Sequence, residues 1–301
     1  MSPVRDNHVV ALFPGQGSLT SGSGEQWLTS PSWAIVREIS DATNVDVAHL
    51  LLSAEHDEVV RTDNAQLATY VLALIGWRRY LEDHSHPAVF VGHSLGEFSA
   101  LVAAGVLDYI AGAQIVHARG LAMQRANEVN PGTMAALMGG DDEALGRLGE
   151  IDNLWIANFN GEGQTVVSGS LDSMDELERR GKEIGWRRVT RLKVGGAFHS
   201  PLMAPAQQDL DTVLDATTFH DTDAIILANV DGLPHNGGDV WRTLLSRQLT
   251  EPVQFLRAVN TIPPTATRTI EMPPGSTLTG LTKRIRTFTE QNVVQPREEQ
   301  S

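Results

Sequence analysis

The amino-acid sequence predicts an α/β protein with a mainly parallel sheet, because short apolar segments alternate with segments of helical periodicity. Residues 8–13 form an apolar run that leads into the glycine-rich segment 14–18, and residues 88–91 form a second apolar run. Helical periodicity is found over residues 64–83, 97–104 and 110–127. This alternation is typical of strands that pair in parallel and are connected by helices.

The order of elements changes after residue 132 and predicts a second, smaller unit. Strands are expected over 133–138, 155–158, 164–169 and 188–194, and helices over 141–148 and 171–184. This β-α-β-β-α-β order is typical of a ferredoxin-like subdomain. We therefore expect a large domain over 1–128 and 197–290, a small subdomain over 129–196, and a frayed tail over 291–301, which lacks apolar periodicity.

Composition narrows the classes of function. The 301 residues carry a formal net charge of −14 and include no cysteine. The absence of cysteine excludes cysteine nucleophiles, disulfides and thiolate metal sites, and no metal site of another kind is expected. The negative net charge argues against nucleic acid as a partner. With no apolar run of membrane-spanning length and no signal-peptide pattern, we expect a cytoplasmic protein that does not bind membranes.

Ser94 lies in the sequence Gly92-His93-Ser94-Leu95-Gly96, between the second apolar run and a helix. A strand, a sharp turn with flanking glycines and a helix are the pattern of a nucleophile elbow, which predicts an α/β-hydrolase-like large domain. The pattern indicates acyl transfer or hydrolysis through Ser94. The alternative is a serine that only caps the helix N-terminus.

A basic segment interrupts the acidic chain. Between Arg179 and Lys193 seven basic residues accompany a single acidic one, Glu183. Such a segment could attract an acidic partner or the phosphates of a nucleotide-bearing cofactor. A solvated helix face is the alternative explanation.

Five short motifs follow one another along the chain: Phe13-Pro14-Gly15-Gln16-Gly17-Ser18, Gly92-His93-Ser94-Leu95-Gly96-Glu97, Arg119-Gly120-x-x-Met123-Gln124, Gly196-Ala197-Phe198-His199-Ser200 and Gln248-Leu249-Thr250-x-Pro252-Val253. Together and in this order they resemble the malonyl-CoA:acyl-carrier-protein transacylase family. The resemblance runs from about residue 8 to residue 286.

The resemblance implies a ping-pong transfer. Ser94 would take a malonyl group from malonyl-CoA, and the phosphopantetheine thiol of an acyl carrier protein of fatty-acid or polyketide biosynthesis would then take it from Ser94. No permanently bound cofactor is implied. We expect a monomer that binds the carrier protein transiently, with the segment Arg179 to Lys193 as the candidate docking surface.

The resemblance also assigns the catalytic groups. It implies that His199 is the general base and acid of the serine, because an unactivated hydroxyl is a poor nucleophile. The main-chain carbonyl of Gln248 would orient this histidine in a dyad without an acidic third member. The backbone amides of Gln16 and Leu95 would form the oxyanion hole.

The same resemblance assigns the acyl-binding residues. Arg119 would bind the free carboxylate of the malonyl group, which is costly to bury unless it is paired. Phe198 would fill the space that an α-methyl group needs and so favour malonyl over methylmalonyl. His93 and Asn160 would line the pocket, and Gln66 would support Arg119.

Other functions remain open at this stage. A serine thioesterase or editing hydrolase would use the same acyl-serine intermediate and resolve it with water. An acyltransferase with a different acyl donor would use the same dyad, and a noncatalytic interaction subunit would need neither Ser94 nor His199. Product formation that depends on a carrier protein distinguishes transfer from hydrolysis.

Overall fold

A computed structural model describes residues 3–297, which form two β-sheets covered by helices; residues 1–2 and 298–301, the extreme ends of the predicted domain and tail, lie outside the described residues. The strands are β1 (Arg5–Phe13), β2 (His86–Gly92), β3 (Gly132–Met138), β4 (Leu154–Gly161), β5 (Gln164–Ser170), β6 (Arg188–Arg191), β7 (Ile225–Leu227), β8 (Pro234–His235), β9 (Arg268–Glu271) and β10 (Glu290–Val293). The helices are α1 (Ala34–Thr43), α2 (Val47–Leu52), α3 (His56–Val59), α4 (Thr62–Leu81), α5 (Gly96–Ala103), α6 (Tyr109–Val129), α7 (Asp142–Arg147), α8 (Leu171–Arg180), α9 (Ala204–Asp215), α10 (Gly238–Gln248), α11 (Phe255–Thr261) and α12 (Thr277–Ile285).

The large sheet has the strand order β10-β9-β1-β2-β7-β8, and all of its pairs are parallel except β7 with β8. Alternate residues of β1 enter two separate hydrophobic cores: Ala11 and Phe13 on one face, Val10 and Leu12 on the other. A sheet covered by helices on both faces requires continuous apolar strands. This explains the unbroken apolar run in the sequence and confirms the predicted fold class.

The small sheet has the strand order β4-β5-β3-β6, and all of its pairs are antiparallel. Ala144 of α7, Leu148 of the 3-10 turn after it, and Met174 and Leu177 of α8 belong to a core that this sheet does not share with the large one. The order of elements and the sheet order are those of the predicted ferredoxin-like subdomain.

Strand β4 of the small sheet also pairs with a segment of the large domain. The amide of Phe159 donates to the carbonyl oxygen of Val253 at 2.9 Å, and the amide of Val253 donates to that of Ala157 at 2.8 Å. Val253 lies between α10 and α11 of the large domain. This pairing brings the end of β4 to the carboxyl end of β2, where Ser94 is located.

The expectation of a frayed tail needs correction for the part of the tail that the structure describes. Residues Glu290–Val293 form β10, which pairs in parallel with β9. Val294 is buried, and Arg297 forms ion pairs with Glu82 at 3.2 Å and Asp83 at 3.1 Å. An edge strand is held by main-chain hydrogen bonds along one side, so it forms here without apolar periodicity.

Residues 3–297 contain no helix that combines the length and the apolar character needed to cross a bilayer. Within the same residues, no three side chains of His, Asp or Glu cluster as the ligands of a metal ion would.

Candidate active site

Ser94 lies at a sharp turn between β2 and α5, and its backbone is left-handed, with φ of 52°. Few non-glycine residues adopt this conformation, and those that do are concentrated at functional sites. A Cβ atom at Gly92 would lie 2.2 Å from the nitrogen of Glu97, and one at Gly96 would lie 1.9 Å from the carbonyl oxygen of Phe13. The close packing of the turn therefore requires both glycines of the elbow.

His199 lies beside Ser94, in the segment between β6 and α9, and its backbone is also left-handed, with φ of 57°. Its Nε2 is 2.8 Å from Ser94 Oγ, and its Nδ1 is 2.7 Å from the main-chain oxygen of Gln248. Because a carbonyl oxygen can only accept, Nδ1 carries the ring proton and Nε2 accepts from the serine hydroxyl. The structure thus brings together three residues named from the sequence.

The protonation state of His199 suits a general base. Burial, and then the positive charge of Arg119, lower the pKa of His199 to about 3, although the hydrogen bond to the Gln248 carbonyl acts in the opposite direction. The imidazole is therefore neutral near pH 7. An anion bound beside Arg119 would offset the charge of the guanidinium and raise the pKa of His199, which makes proton transfer from the serine easier.

The amides of Gln16 and Leu95 have no hydrogen-bond acceptor among residues 3–297. The amide of Ser94, by contrast, donates to Asn229 Oδ1 at 2.7 Å and is not available. Gln16 belongs to the loop 14–18, which packs against the residue before the serine: a Cβ at Gly15 would lie 2.9 Å from the carbonyl oxygen of His93. Both amides, on segments next to the nucleophile, are therefore free to donate to a bound oxygen, which an oxyanion hole needs.

Arg119 extends from α6 to the nucleophile and is only 1% exposed. Its Nη1 donates to Gln66 Oε1 at 2.6 Å, and its Nη2 lies 3.0 Å from Gln248 Oε1 and 3.3 Å from Ser94 Oγ. Its Nε has no partner, and no carboxylate in the described part of the chain forms an ion pair with it. Burial lowers the pKa of Arg119 to about 10, so the group stays charged near pH 7. A buried cation with neutral partners and a free donor is a site for an anion.

Two residues that the sequence analysis gave no role complete the site. Glu97 accepts the amide of Asn229 at 2.7 Å and the side-chain amide of Gln248, and burial raises the pKa of Glu97 to about 7. The side chain of Asn229 accepts from the amide of Ser94 and donates to the carbonyl of Gly92 at 2.8 Å. The only sequence signal for Glu97 is its place in the elbow motif, and for Asn229 it is a polar residue after a buried strand.

His93 and Asn160 form one wall of a cleft beside the serine. His93 Nε2 lies 2.8 Å from Asn160 Oδ1, and both residues line a cavity of about 210 Å³ together with the loop 14–18. A second cavity, of about 370 Å³, has His199 among its lining residues. Phe198 is buried in the main hydrophobic core, so the structure does not place its ring against either cavity.

The basic segment 179–193 contains both paired and unpaired side chains. The paired ones are Arg180, with Glu150 and Glu176, and Arg191, with Asp175 and Glu178. The others are exposed and form no ion pair within residues 3–297: Arg179, Lys182, Arg187, Arg188 and Lys193. The available positive charge is therefore smaller than the sequence alone indicates.

Comparison with known proteins assigns the family. The model of the acyl transferase domain family matches residues 10–297. The malonyl CoA-acyl carrier protein transacylase of Bacillus subtilis (strain 168) is 35% identical over 286 residues, which are 92% of this chain and 90% of the relative.

Solved structures agree with this assignment. The crystal structure of malonyl-CoA:acyl carrier protein transacylase from Xanthomonas oryzae pv. oryzae superposes with a TM-score of 0.92 at 32% identity, covering 97% of this chain and 96% of that one. A malonyl-transacylase solved in complex with its type II PKS acyl-carrier protein superposes with a TM-score of 0.90 at 30% identity, covering 96% of each chain. The chain described here therefore belongs to the malonyl-CoA:acyl-carrier-protein transacylase family of acyl transferase domains.

Proposed function

We propose that the chain transfers a malonyl group from malonyl-CoA to the phosphopantetheine thiol of an acyl carrier protein through an acyl-Ser94 intermediate. The observation that carries the proposal is the buried, charged Arg119, whose Nη2 lies 3.3 Å from Ser94 Oγ. A malonyl group has a single methylene between its thioester carbonyl and its carboxylate. The group that binds this carboxylate must therefore stand beside the nucleophile, as Arg119 does.

In the first half-reaction, Ser94 Oγ attacks the thioester carbonyl carbon while its proton passes to His199 Nε2. The amides of Gln16 and Leu95 donate to the resulting oxyanion, and each such donor typically contributes about 3 kcal/mol. The tetrahedral intermediate then collapses, the carbon–sulfur bond breaks, and the leaving coenzyme A thiolate takes the proton from His199 Nε2.

The second half-reaction reverses these steps with a different thiol. The phosphopantetheine sulfur gives its proton to His199 Nε2 and attacks the carbonyl carbon of malonyl-Ser94. The carbon–oxygen bond breaks, and Ser94 Oγ recovers the proton from His199. The Gln248 carbonyl keeps the imidazole in the same tautomer throughout, because Nδ1 donates to it in both halves.

The finer assignments extend this proposal. Phe198 would act from the core, where its buried ring limits how far the His199 segment can shift to make room for an α-methyl group. A single extra methyl group is discriminated by about 1–3 kcal/mol, so selectivity against methylmalonyl would be limited. His93 and Asn160 would line the cleft that receives the acyl group and its thiol. We also propose that the protein acts in the cytoplasm as a monomer.

For the carrier protein, we propose docking on the exposed basic residues Arg187, Arg188 and Lys193. The relative solved in complex with an acyl-carrier protein supports a partner of this class. Paired residues of the same segment, such as Arg180, would contribute less because their charge is already compensated.

The decisive experiment measures the intact mass of the purified chain after incubation with equal amounts of malonyl-, methylmalonyl- and acetyl-CoA, followed by a holo carrier protein. We expect a malonyl adduct that moves to the carrier, and none in a Ser94→Ala variant. Undiminished transfer by that variant would overturn the proposal. An adduct that disappears equally fast without carrier would indicate a hydrolase.

A further inference from the structure

Glu97 is a buried carboxylate that takes no part in the steps described above. It lies in the first turn of α5, three residues after the nucleophile, and is 1% exposed. Its Oε1 accepts the main-chain amide of Asn229, and its Oε2 accepts the side-chain Nε2 of Gln248. Glu97 therefore links α5 to the segment after β7 and to the last residue of α10.

Each of these two partners positions a reacting group. Asn229 Oδ1 accepts the amide of Ser94 at 2.7 Å. The main-chain oxygen of Gln248 orients His199, and its side-chain Oε1 accepts from Arg119 at 3.0 Å. The groups that hold the nucleophile, the base and the acyl-binding cation thus meet at one carboxylate.

The carboxylate also decides which way the Gln248 side-chain amide faces. In its ionised form the Glu97 carboxylate can only accept, so Gln248 Nε2 then faces Glu97 and Oε1 faces Arg119. If the amide turned over, its nitrogen would oppose the guanidinium donors and its oxygen would oppose the carboxylate. The second donor bond of Nε2, to the carbonyl oxygen of Ser94 at 2.9 Å, fixes the same orientation.

We infer that Glu97 is a positioning residue of the acyl transfer, and that its carboxylate sets the preference for malonyl by fixing the Gln248 amide that orients Arg119. The inference rests on the proposed function, because the preference is defined for malonyl over an acyl group without a carboxylate. Nothing in the proposed chemistry requires Glu97 to contact the substrate.

Glu97→Gln is the sharpest perturbation because it preserves size and shape. The amide has one acceptor oxygen where the carboxylate has two, so either the Asn229 amide or the Gln248 amide must face another donor. We expect the ratio of malonyl to acetyl acylation rates of Ser94, measured as kcat/KM for each CoA ester, to fall about 10- to 100-fold. Glu97→Asp keeps two acceptor oxygens and should retain more of this ratio.

Glu271→Gln is the matched control. Glu271 is fully buried in β9, and its two oxygens accept the main-chain amides of Leu278 at 3.0 Å and Thr279 at 2.6 Å. The substitution removes the same double acceptor at a position that contacts neither Ser94 nor Arg119. We expect a similar loss of thermal stability and an unchanged malonyl-to-acetyl ratio.

A pH series gives a second readout. Burial raises the pKa of Glu97 to about 7, with Arg119 acting to lower it and Asp231 to raise it. Protonation of Glu97 would place a hydrogen on a carboxylate oxygen that already accepts from the amide of Asn229 or of Gln248. We therefore expect the malonyl-to-acetyl ratio of the wild type to fall as the pH is lowered from 8 to 6, and that of Glu97→Gln to change little.

Three outcomes would overturn the inference: an unchanged ratio in Glu97→Gln, an equal change of the ratio in Glu271→Gln, or the same pH dependence in Glu97→Gln as in the wild type. Failure of the proposed function is recognised separately, because wild-type protein would then form no malonyl adduct that moves to a carrier. If Glu97→Gln does not fold, the ratio in Glu97→Asp together with the wild-type pH series decides.

Discussion

Replacement of Arg119 by alanine tests the assignment of the acyl-binding cation. In the structure this guanidinium is buried, lies beside the nucleophile, and has only neutral partners. Without it, the malonyl carboxylate would enter a buried pocket unpaired. Loss of one partner of a buried, hydrogen-bonded charge pair costs about 2 to 5 kcal/mol, which corresponds to a loss of roughly 30- to 5,000-fold in kcat/KM.

The acetyl group should respond differently. It has no carboxylate to pair, and the charge of Arg119 is one of the two main causes that depress the pKa of His199. Removal of this charge makes His199 a stronger base, so we expect acylation from acetyl-CoA to stay unchanged or to increase in Arg119→Ala. The rate of acylation should therefore fall for malonyl-CoA and not for acetyl-CoA.

The assay is single-turnover acylation of Ser94, followed through release of the coenzyme A thiol with each ester. Arg125→Ala is the control: Arg125 lies on the same helix, α6, but is exposed and paired with Asp209 at 2.6 Å. It should change both rates by less than about fivefold, because exposed pairs contribute about 1 kcal/mol or less. Equal losses for malonyl and acetyl in Arg119→Ala, with folding intact, would refute the reasoning.

Three further predictions concern the turn, the base and the docking surface. Gly96→Ala should abolish folding or lower thermal stability strongly, because the new Cβ would lie 1.9 Å from a carbonyl oxygen. Gly146→Ala is the control: no atom lies within 4 Å of its Cβ, so the substitution should stabilise the protein by about 0.5–1 kcal/mol. Both are measured by thermal unfolding. The lowered pKa of His199 means that the unfolded chain binds a proton that the folded protein does not, so stability is lost as the pH falls below about 6.5. Between pH 7 and pH 5 the free energy of unfolding, measured in urea, should fall by about 2 kcal/mol more in the wild type than in His199→Ala. Equal losses in the two proteins would contradict this prediction. Arg187→Glu combined with Arg188→Glu should raise the KM for carrier protein at low salt and leave acylation by malonyl-CoA unchanged; an unaltered KM would remove this surface from consideration.

The elbow could be predicted from the sequence because its geometry is local. A strand, two glycines and a helix within a few residues determine where Ser94 stands. The place of His199 could not be deduced from local pattern, since its partner is 105 residues away; the motif around it supplied the assignment. The roles of Glu97, which lies in the elbow motif, and of Asn229, which lies in none, could not be deduced for the same reason: the bonds of Glu97 to Asn229 and Gln248 span 132 and 151 residues.

Most strands of the two sheets could also be predicted from local sequence pattern. Apolar runs identify strands that are buried on both faces, such as β1 and β2. Strand β10 has no such run, because it lies at the sheet edge and depends on main-chain pairing with β9. The charge of the segment 179–193 was overestimated, since the sequence does not show which arginines fold back onto neighbouring carboxylates.

The attachment of the small subdomain to Val253 limits how the protein can move. Opening this junction like a hinge would break two main-chain hydrogen bonds, to Phe159 and Ala157, within a few residues of the carbonyl that orients the base. The cleft lined by the loop 14–18, His93 and Asn160 is therefore expected to keep a constant width during turnover. We expect the donor and acceptor thiols to use this cleft in succession, so that each competes with the other for the free enzyme and excess carrier protein inhibits competitively against the acyl donor.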